Sequence, residues 1–180
     1  MSDRTLYFSY GHNTNVREFM HRIPGAQLLG RATAHGFKFV LEHFSDIRQD
    51  PKSVIQGVLW SIPTDKIPAL DVDEAYRDHY HHITLNVRYG DKNYRALSYQ
   101  MYKSYHNQKL PTKKYINFIA KGYKESHIPL IQLINAVKER LEREKQIKNQ
   151  EQDAEPHKDA LEKPEKNNLT DKKPIANIGT

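Results

Sequence analysis

YFSYGHNTN, Tyr7 to Asn15, carries an aromatic run into a glycine and then into four polar residues in a row. Residues Thr5 to Ser9 have the β-branched and aromatic content that is typical of a strand. Asn15 is a residue type that caps helices, and the VREFMHRI that follows it has apolar residues at helical spacing. The stretch therefore predicts a first strand, a polar turn and a short helix.

The polar turn, Tyr10 to Asn13, is a candidate binding site. A strand that ends before a helix start leaves several backbone N–H groups unpaired, and such groups suit an anion or a developing oxyanion. Gly11 would let a ligand approach the main chain. The alternative is that Gly11 only makes a tight turn and that Asn13 or Asn15 only caps the helix.

Two glycine-containing segments follow, both rich in β-branched, aromatic and leucine residues. QLLGRATAHGFKFVLEHF and VIQGVLWSI predict strands that bend or bulge, as strands do in a barrel. SDIRQDPKS, which lies between them, is expected to form a loop.

A short helix and a hairpin come next. PTDKIPALDVDEAY predicts a helix that ends near Glu74. YHHITLNVRY and YRALSYQMY alternate apolar and polar residues on either side of a turn that starts at Gly90, which predicts a β-hairpin.

Two helices and a charged tail complete the chain. Thr112 is expected to cap a helix with an apolar stripe, and Pro129 to open a second amphipathic helix. From about Gln150 aromatic residues disappear, and Glu, Lys, Asn and Pro dominate, so little apolar surface remains to offset the entropy of ordering. We therefore expect one domain, residues 1–148, and a disordered charged tail, residues 149–180.

Length and composition limit the classes of protein. The 180 residues, 21.1 kDa, suffice for one domain with a buried core. The chain contains no cysteine, which excludes disulfides, thiolate nucleophiles and cysteine-based zinc sites and agrees with a reducing compartment. MSDRTLYFSY is too charged and its apolar run too short for a secretory or membrane segment. We expect a cytoplasmic protein with no membrane partner.

The net charge of +6 suggests a protein that binds nucleic acid, because clustered Lys and Arg provide the salt-dependent part of nucleic-acid binding. The basic residues are scattered, however. From Arg140 onward there are nine basic and nine acidic residues, so the excess is spread through the body. The sequence favours no nucleic-acid partner.

Glu74 is the candidate acid/base residue. It ends the predicted helix after apolar Leu70, and a carboxylate among apolar neighbours can exchange a proton near neutral pH. In LDVDE, Asp71 and Asp73 compete for the same role, and an exposed helix end is the other account of all three.

HYHH, His79 to His82, raises the question of a metal. His79 and His81 would share a face of a strand, but no further ligand at metal-binding spacing completes a site. The tyrosines Tyr99, Tyr102 and Tyr105 could stack on bases, yet core packing explains them as simply. No metal or cofactor is expected.

In this order the segments resemble the gamma-glutamylcyclotransferase family and its AIG2-like relatives. LYFSYGHN is similar to the opening YFAYGSN of that family, and FMHRIPGAQLLGRATAHGFKFVL to its R-x-P-x-A segment. VIQGVLWSIPTDKIPALDVDEAY is similar to its V-x-G-V-x-[WY] and LD-x-x-E-G motifs. YINFIAKGYKESHIPLIQLINAVK resembles its C-terminal helices, so the likeness covers about residues 5–140.

The resemblance implies an α+β fold, a small mixed β-barrel flanked by helices, and a reaction that needs neither metal nor cofactor. The substrate's α-amine attacks its own γ-carbonyl, forms 5-oxoproline and expels an amine. Glu74 matches the family's acid/base glutamate. Tyr10, Gly11, His12 and Asn13 match the loop that binds the γ-glutamyl group through main-chain N–H groups, and Tyr80 matches a tyrosine of the pocket.

Two departures from the family pattern affect the site. His12 replaces a serine and Ala75 replaces a glycine. His12 is expected to change substrate size or pH dependence, whereas Ala75 is expected to require only a negative φ.

The leading interpretation is thus a cyclotransferase whose partner is a small gamma-glutamyl amino acid, amine or peptide. A gamma-glutamylamine or isopeptide cyclotransferase, and an AIG2-like module that binds without turnover, are the alternatives. The oligomeric state is left open.

Overall fold

Within residues 3–154, the part of the chain that a computed structural model describes, five strands close into a barrel and four helices pack around it. The strands are β1 (Arg4–Ser9), β2 (Gln27–Leu41), β3 (Ser45–Pro63), β4 (Tyr80–Tyr89) and β5 (Lys92–Met101). The helices are α1 (Val16–Arg22), α2 (Ile67–Asp73), α3 (Lys113–Glu125) and α4 (Leu130–Ala154). The expected α+β barrel flanked by helices is confirmed.

The barrel is mixed because of the way in which it closes. Its strand order is β1-β3-β2-β4-β5, and neighbouring strands are antiparallel except where β1 meets β5. That parallel contact is made at Tyr7 and Leu97. Closure therefore brings the middle of the first strand against the last one.

The prediction of a loop at residues 45–53 was wrong, because these residues belong to β3. Ile47 is buried and pairs with Phe39 of β2, so the segment has an apolar inner side. Pro51 falls in the irregular part of the β2–β3 pairing, opposite Gly36, where the register shifts. A proline at such a bulge removes no ladder hydrogen bond, and the strand continues past it.

The predicted tail, residues 149–180, lies mostly outside the described residues. Residues 149–154 are the last part of α4. No helix in the described part of the chain has the length and apolar character needed to cross a bilayer.

Aromatic packing fixes α1 against the barrel. Phe19 of α1 is fully buried, with its ring centroid 4.4 Å from that of Trp60 and 5.6 Å from that of Tyr7. Buried aromatic rings contribute large apolar areas to a core. The side chain of Asn15 caps this helix, as predicted, by accepting from the N–H of Glu18. The polar turn before α1 is therefore held at its helical end.

Helix α3 holds the same turn from the other side. Tyr123 Oη donates to the carbonyl of Tyr10 at 2.8 Å, and Ser126 Oγ donates to the carbonyl of Thr14 at 3.0 Å. The helix approaches so closely because residue 122 is glycine. A Cβ there would lie 2.5 Å from Thr14 Oγ1 and 2.6 Å from the backbone nitrogen of Asn15.

Gly122→Ala is expected to lower the free energy of unfolding by about 1–3 kcal/mol, because the added methyl group forces α3 and the turn apart. Alanine is intrinsically the better helix residue, so the helix preference acts in the opposite direction. Urea denaturation measures the change, with the exposed Lys121→Ala as control. A Gly122→Ala protein as stable as wild type would show that the close packing is not required.

Candidate active site

Glu74 stands at the C-terminal end of α2, where the chain turns sharply toward β4. Its backbone N–H donates a hydrogen bond to the carbonyl of Leu70 at 2.9 Å, which completes the helix. The next residue, Ala75, has φ of 48°, so the expectation of a negative φ there was wrong. Its carbonyl accepts from the N–H groups of Asp78, His79 and Tyr80, and this turn imposes the left-handed conformation that normally favours glycine.

Two donors fix one oxygen of the Glu74 carboxylate. Tyr7 Oη and Asn13 Nδ2 each lie 2.7 Å from Oε1. Burial, reinforced by the charge of Glu74, raises the pKa of Tyr7 well above its usual value, so this hydroxyl remains a donor. No side chain among residues 3–154 donates to Oε2. One carboxylate oxygen is therefore held, and the other can accept from a ligand.

Asp73 has a different environment from Glu74. It forms an ion pair with Arg22, and His12 Nε2 lies 3.5 Å from its Oδ2. Burial alone would raise the pKa of Asp73, but the hydrogen bonds and charges of His12 and Arg22 outweigh it and lower the pKa to about 2. Asp73 is thus a permanent anion near neutral pH and a poor proton carrier.

Asp71 points away from this site. Its Oδ1 accepts from Tyr99 Oη and faces His82 Nε2, each at 2.6 Å. Asp71 therefore lies in a network of its own, whereas Asp73 and Glu74 are linked through Arg22 and Asn13. Asp73 and Glu74 both line the outer cleft, but only Glu74 of the three acids also lines the inner pocket.

The polar turn forms a short 3₁₀ segment, His12–Thr14. The first N–H groups of such a segment have no partner inside it, so those of His12 and Asn13 are available. Gly11 has a φ of −116°, which any residue can adopt. A Cβ at residue 11 would lie 2.7 Å from Ser45 Cβ, so the glycine lets β3 approach the turn closely.

All six residues predicted for the site line one inner pocket. Its remaining lining residues are Tyr7, Ser45 and Tyr99. The volume is about 10 Å³, which is roughly the space needed for one water molecule. Tyr80 contributes its buried ring, and its hydroxyl donates to the carbonyl of Ser45 at 2.7 Å.

A larger outer cleft, about 380 Å³, adjoins the inner pocket. The two cavities share His12, Glu74 and Tyr80. Glu74 therefore stands at the junction between a small polar pocket and a larger opening.

His79 and His81 pack against different tyrosines. His79 precedes β4, and its ring lies 4.3 Å from that of Tyr105, whereas the ring of His81 lies 5.0 Å from that of Tyr102. Within residues 3–154 no three His, Asp or Glu side chains are grouped as metal ligands.

Sequence reasoning missed the residues that hold Glu74. Asn13 was expected to act through its main chain, but its side chain is the direct contact to the carboxylate. Arg22 Nη2 donates in turn to Asn13 Oδ1 at 2.5 Å. Tyr7 had been assigned only to a strand. Nothing local in the sequence links these residues to Glu74, because the partners lie more than 50 residues apart.

The comparisons with known proteins agree with this architecture. Residues 54–132, which include Glu74 and Tyr80, match the model of the AIG2-like family. No curated protein sequence matches the chain.

Solved structures share the fold. The chain is similar to a gamma-glutamyl cyclotransferase, with 24% identity and a TM-score of 0.66, over 74% of this chain and 86% of that one. It is also similar to an uncharacterized protein from Homo sapiens, with 25% identity and a TM-score of 0.65, again over 74% of this chain and 86% of that one. YkqA from Bacillus subtilis is 20% identical with a TM-score of 0.61, over 68% of this chain and 49% of that one. The resemblance of this chain to gamma-glutamylcyclotransferases and AIG2-like proteins is confirmed.

Asp73→Asn is expected to lower the free energy of unfolding by about 2 kcal/mol at neutral pH, because the pKa of Asp73 is depressed from 3.8 to about 2 in the folded state. A carboxylate with a depressed pKa stabilises the fold above the unfolded pKa. This contribution is lost as the pH falls through the folded pKa.

The difference between wild type and Asp73→Asn should therefore shrink between pH 4 and pH 2. Urea denaturation at several pH values measures it, with the exposed Asp65→Asn as control. A difference that stays constant with pH would contradict the assigned ion pair.

Proposed function

We propose that the protein is a cofactor-independent gamma-glutamylcyclotransferase, which converts a small gamma-glutamyl compound into 5-oxoproline and a free amine. The proposal rests on one observation above all. Among the described residues, a carboxylate fixed by Tyr7 and Asn13 has an oxygen that accepts from no side chain, at the junction of two cavities and beside the N–H groups that begin the 3₁₀ segment. The AIG2-like segment and the fold shared with a gamma-glutamyl cyclotransferase support it.

The reaction begins with a proton transfer from the substrate's α-ammonium group to Glu74. The freed amine then attacks the γ-carbonyl carbon of the same molecule and closes the five-membered lactam. When the C–N bond to the leaving group breaks, protonated Glu74 returns the proton to the departing nitrogen. The lactam nitrogen keeps one hydrogen, so its other proton passes through the Glu74 carboxylate to the released amine, which leaves as an ammonium ion. Atoms balance without water, since the products are 5-oxoproline and the amine. The internal nucleophile supplies the proximity that a bimolecular attack lacks.

The carbonyl oxygen gains negative charge during this attack. N–H groups of His12 and Asn13, which begin the 3₁₀ segment, are the donors that would stabilise it or the substrate's carboxylate. Such donors are effective because they are already oriented before the reaction.

The inner pocket must enlarge to admit the glutamyl group. His12 lies between the two cavities, and among the described residues its ring is restrained by contacts of 3.5 Å to Asp73 and to Arg22. We propose that this ring turns outward when substrate binds. The enzyme is proposed to act in the cytoplasm, whose reducing conditions suit a chain without cysteine.

Glu74→Gln is expected to lower kcat by about a hundredfold to ten-thousandfold, the usual contribution of a general acid/base group. The amide oxygen can still accept from Tyr7 and Asn13, so folding and substrate binding should change much less. Release of 5-oxoproline from gamma-glutamyl compounds is the measurement.

Asp71→Asn is the matched control, because Asp71 belongs to the same helix but to neither cavity. It should retain most activity. An active Glu74→Gln protein together with an inactive Asp71→Asn protein would show that Asp71, and not Glu74, is the acid/base residue. Binding of gamma-glutamyl compounds without any 5-oxoproline would instead favour an AIG2-like binding module.

His12→Ser is expected to retain most of kcat and to leave KM unchanged or lower it, because the smaller side chain opens the inner pocket while the main-chain N–H remains. Steady-state kinetics separate the two parameters. A fall in kcat as large as that of Glu74→Gln would make His12 part of the chemistry.

A further inference from the structure

We propose that the outer cleft selects a leaving amine that carries an apolar, aromatic group and no carboxylate. The inference rests on the proposed function and specifies its substrate class. It follows from the walls of the cleft, from its charges and from its position next to Glu74.

Aromatic side chains form most of the cleft. Phe44, Tyr115 and Phe118 line it together with the rings of His79 and Tyr80. A cavity of roughly 150 Å³ is enough to bind benzene, so about 380 Å³ accommodates a phenyl ring and a short linker.

Phe44 is the part of this wall that water reaches most easily. It is 36% exposed although its ring centroid lies 5.4 Å from that of Tyr115 in an edge-on arrangement. A ligand ring in the cleft would bury this apolar surface and add further aromatic contacts, both of which favour binding.

The charges of the cleft disfavour a carboxylate on the leaving group. Among the described residues that line the two cavities there is no Lys or Arg, whereas Asp73 and Glu74 are both present. The guanidinium of Arg22, which contacts Asp73 of the cleft, is already paired with Asp73 and Asn13. An amino acid leaving group would therefore bring a carboxylate next to Asp73 where the described lining offers no Lys or Arg to compensate it.

The position of the outer cleft next to Glu74 indicates that the leaving group occupies it. Glu74 must reach both the α-nitrogen and the departing nitrogen, and it borders both cavities. The glutamyl part takes the polar inner pocket with its N–H groups. Whatever is attached to the departing nitrogen then extends into the aromatic cleft.

A panel of four compounds separates the two properties of the leaving group. Gamma-glutamyl-2-phenylethylamine has a ring and no carboxylate, gamma-glutamyl-phenylalanine has both, gamma-glutamyl-ethylamine has neither, and gamma-glutamyl-alanine has only the carboxylate. We expect kcat/KM for 5-oxoproline release to be about tenfold or more higher for the phenylethylamine compound than for each of the others.

Phe118→Ala tests the wall directly. It should lower kcat/KM for the phenylethylamine compound by about tenfold and leave the ethylamine compound nearly unchanged. Phe37→Ala is the matched control, because Phe37 is also half-buried but lines neither cavity. The wild-type panel decides the question even if a variant folds poorly.

Each result has one meaning. Equal rates for the phenylethylamine and ethylamine compounds would overturn the aromatic preference, and a phenylalanine compound as good as the phenylethylamine compound would overturn the exclusion of a carboxylate. Release of 5-oxoproline from none of the four would instead overturn the proposed function itself.

Discussion

The hydrogen bonds from Tyr7 and Asn13 to Oε1 of Glu74 tie three distant segments of the chain to one point. Tyr7 lies where β1 closes the barrel against β5, Asn13 lies in the turn that follows, and Glu74 ends a helix more than 60 residues later. Barrel closure, the packing of Phe19 on Trp60 and the close approach of α3 at Gly122 all maintain this geometry. The position of the carboxylate is therefore a property of the whole fold.

Three neighbouring acids show how the fold assigns different chemistry to similar side chains. Asp71 is held by Tyr99 and His82, Asp73 by Arg22, and Glu74 by two uncharged donors. The cation beside Asp73 keeps it ionised, which makes it an anchor for Arg22 and His12. Glu74 has no such cation among its hydrogen-bond partners in the described residues, which is one reason why we propose it as the group that exchanges a proton.

Local patterns predicted the elements well, because a cap or a strand depends on residues close in sequence. Asn15 and Thr112 cap the helices that they were expected to cap, and the hairpin around Gly90 is present. The strand character of residues 45–53 and the positive φ of Ala75 were missed, since pairing with β2 and the turn before β4 decide them. The side-chain roles of Asn13 and Arg22 were missed for the same reason, because they depend on contacts between distant segments.

The central claim, that a gamma-glutamyl compound is cleaved by its own amine, is tested most directly by turnover in ¹⁸O-labelled water followed by mass spectrometry. Cyclisation consumes no water, so the account predicts unlabelled 5-oxoproline and free amine in equal amounts. Formation of ¹⁸O-labelled glutamate would contradict it, because that product requires water as the nucleophile.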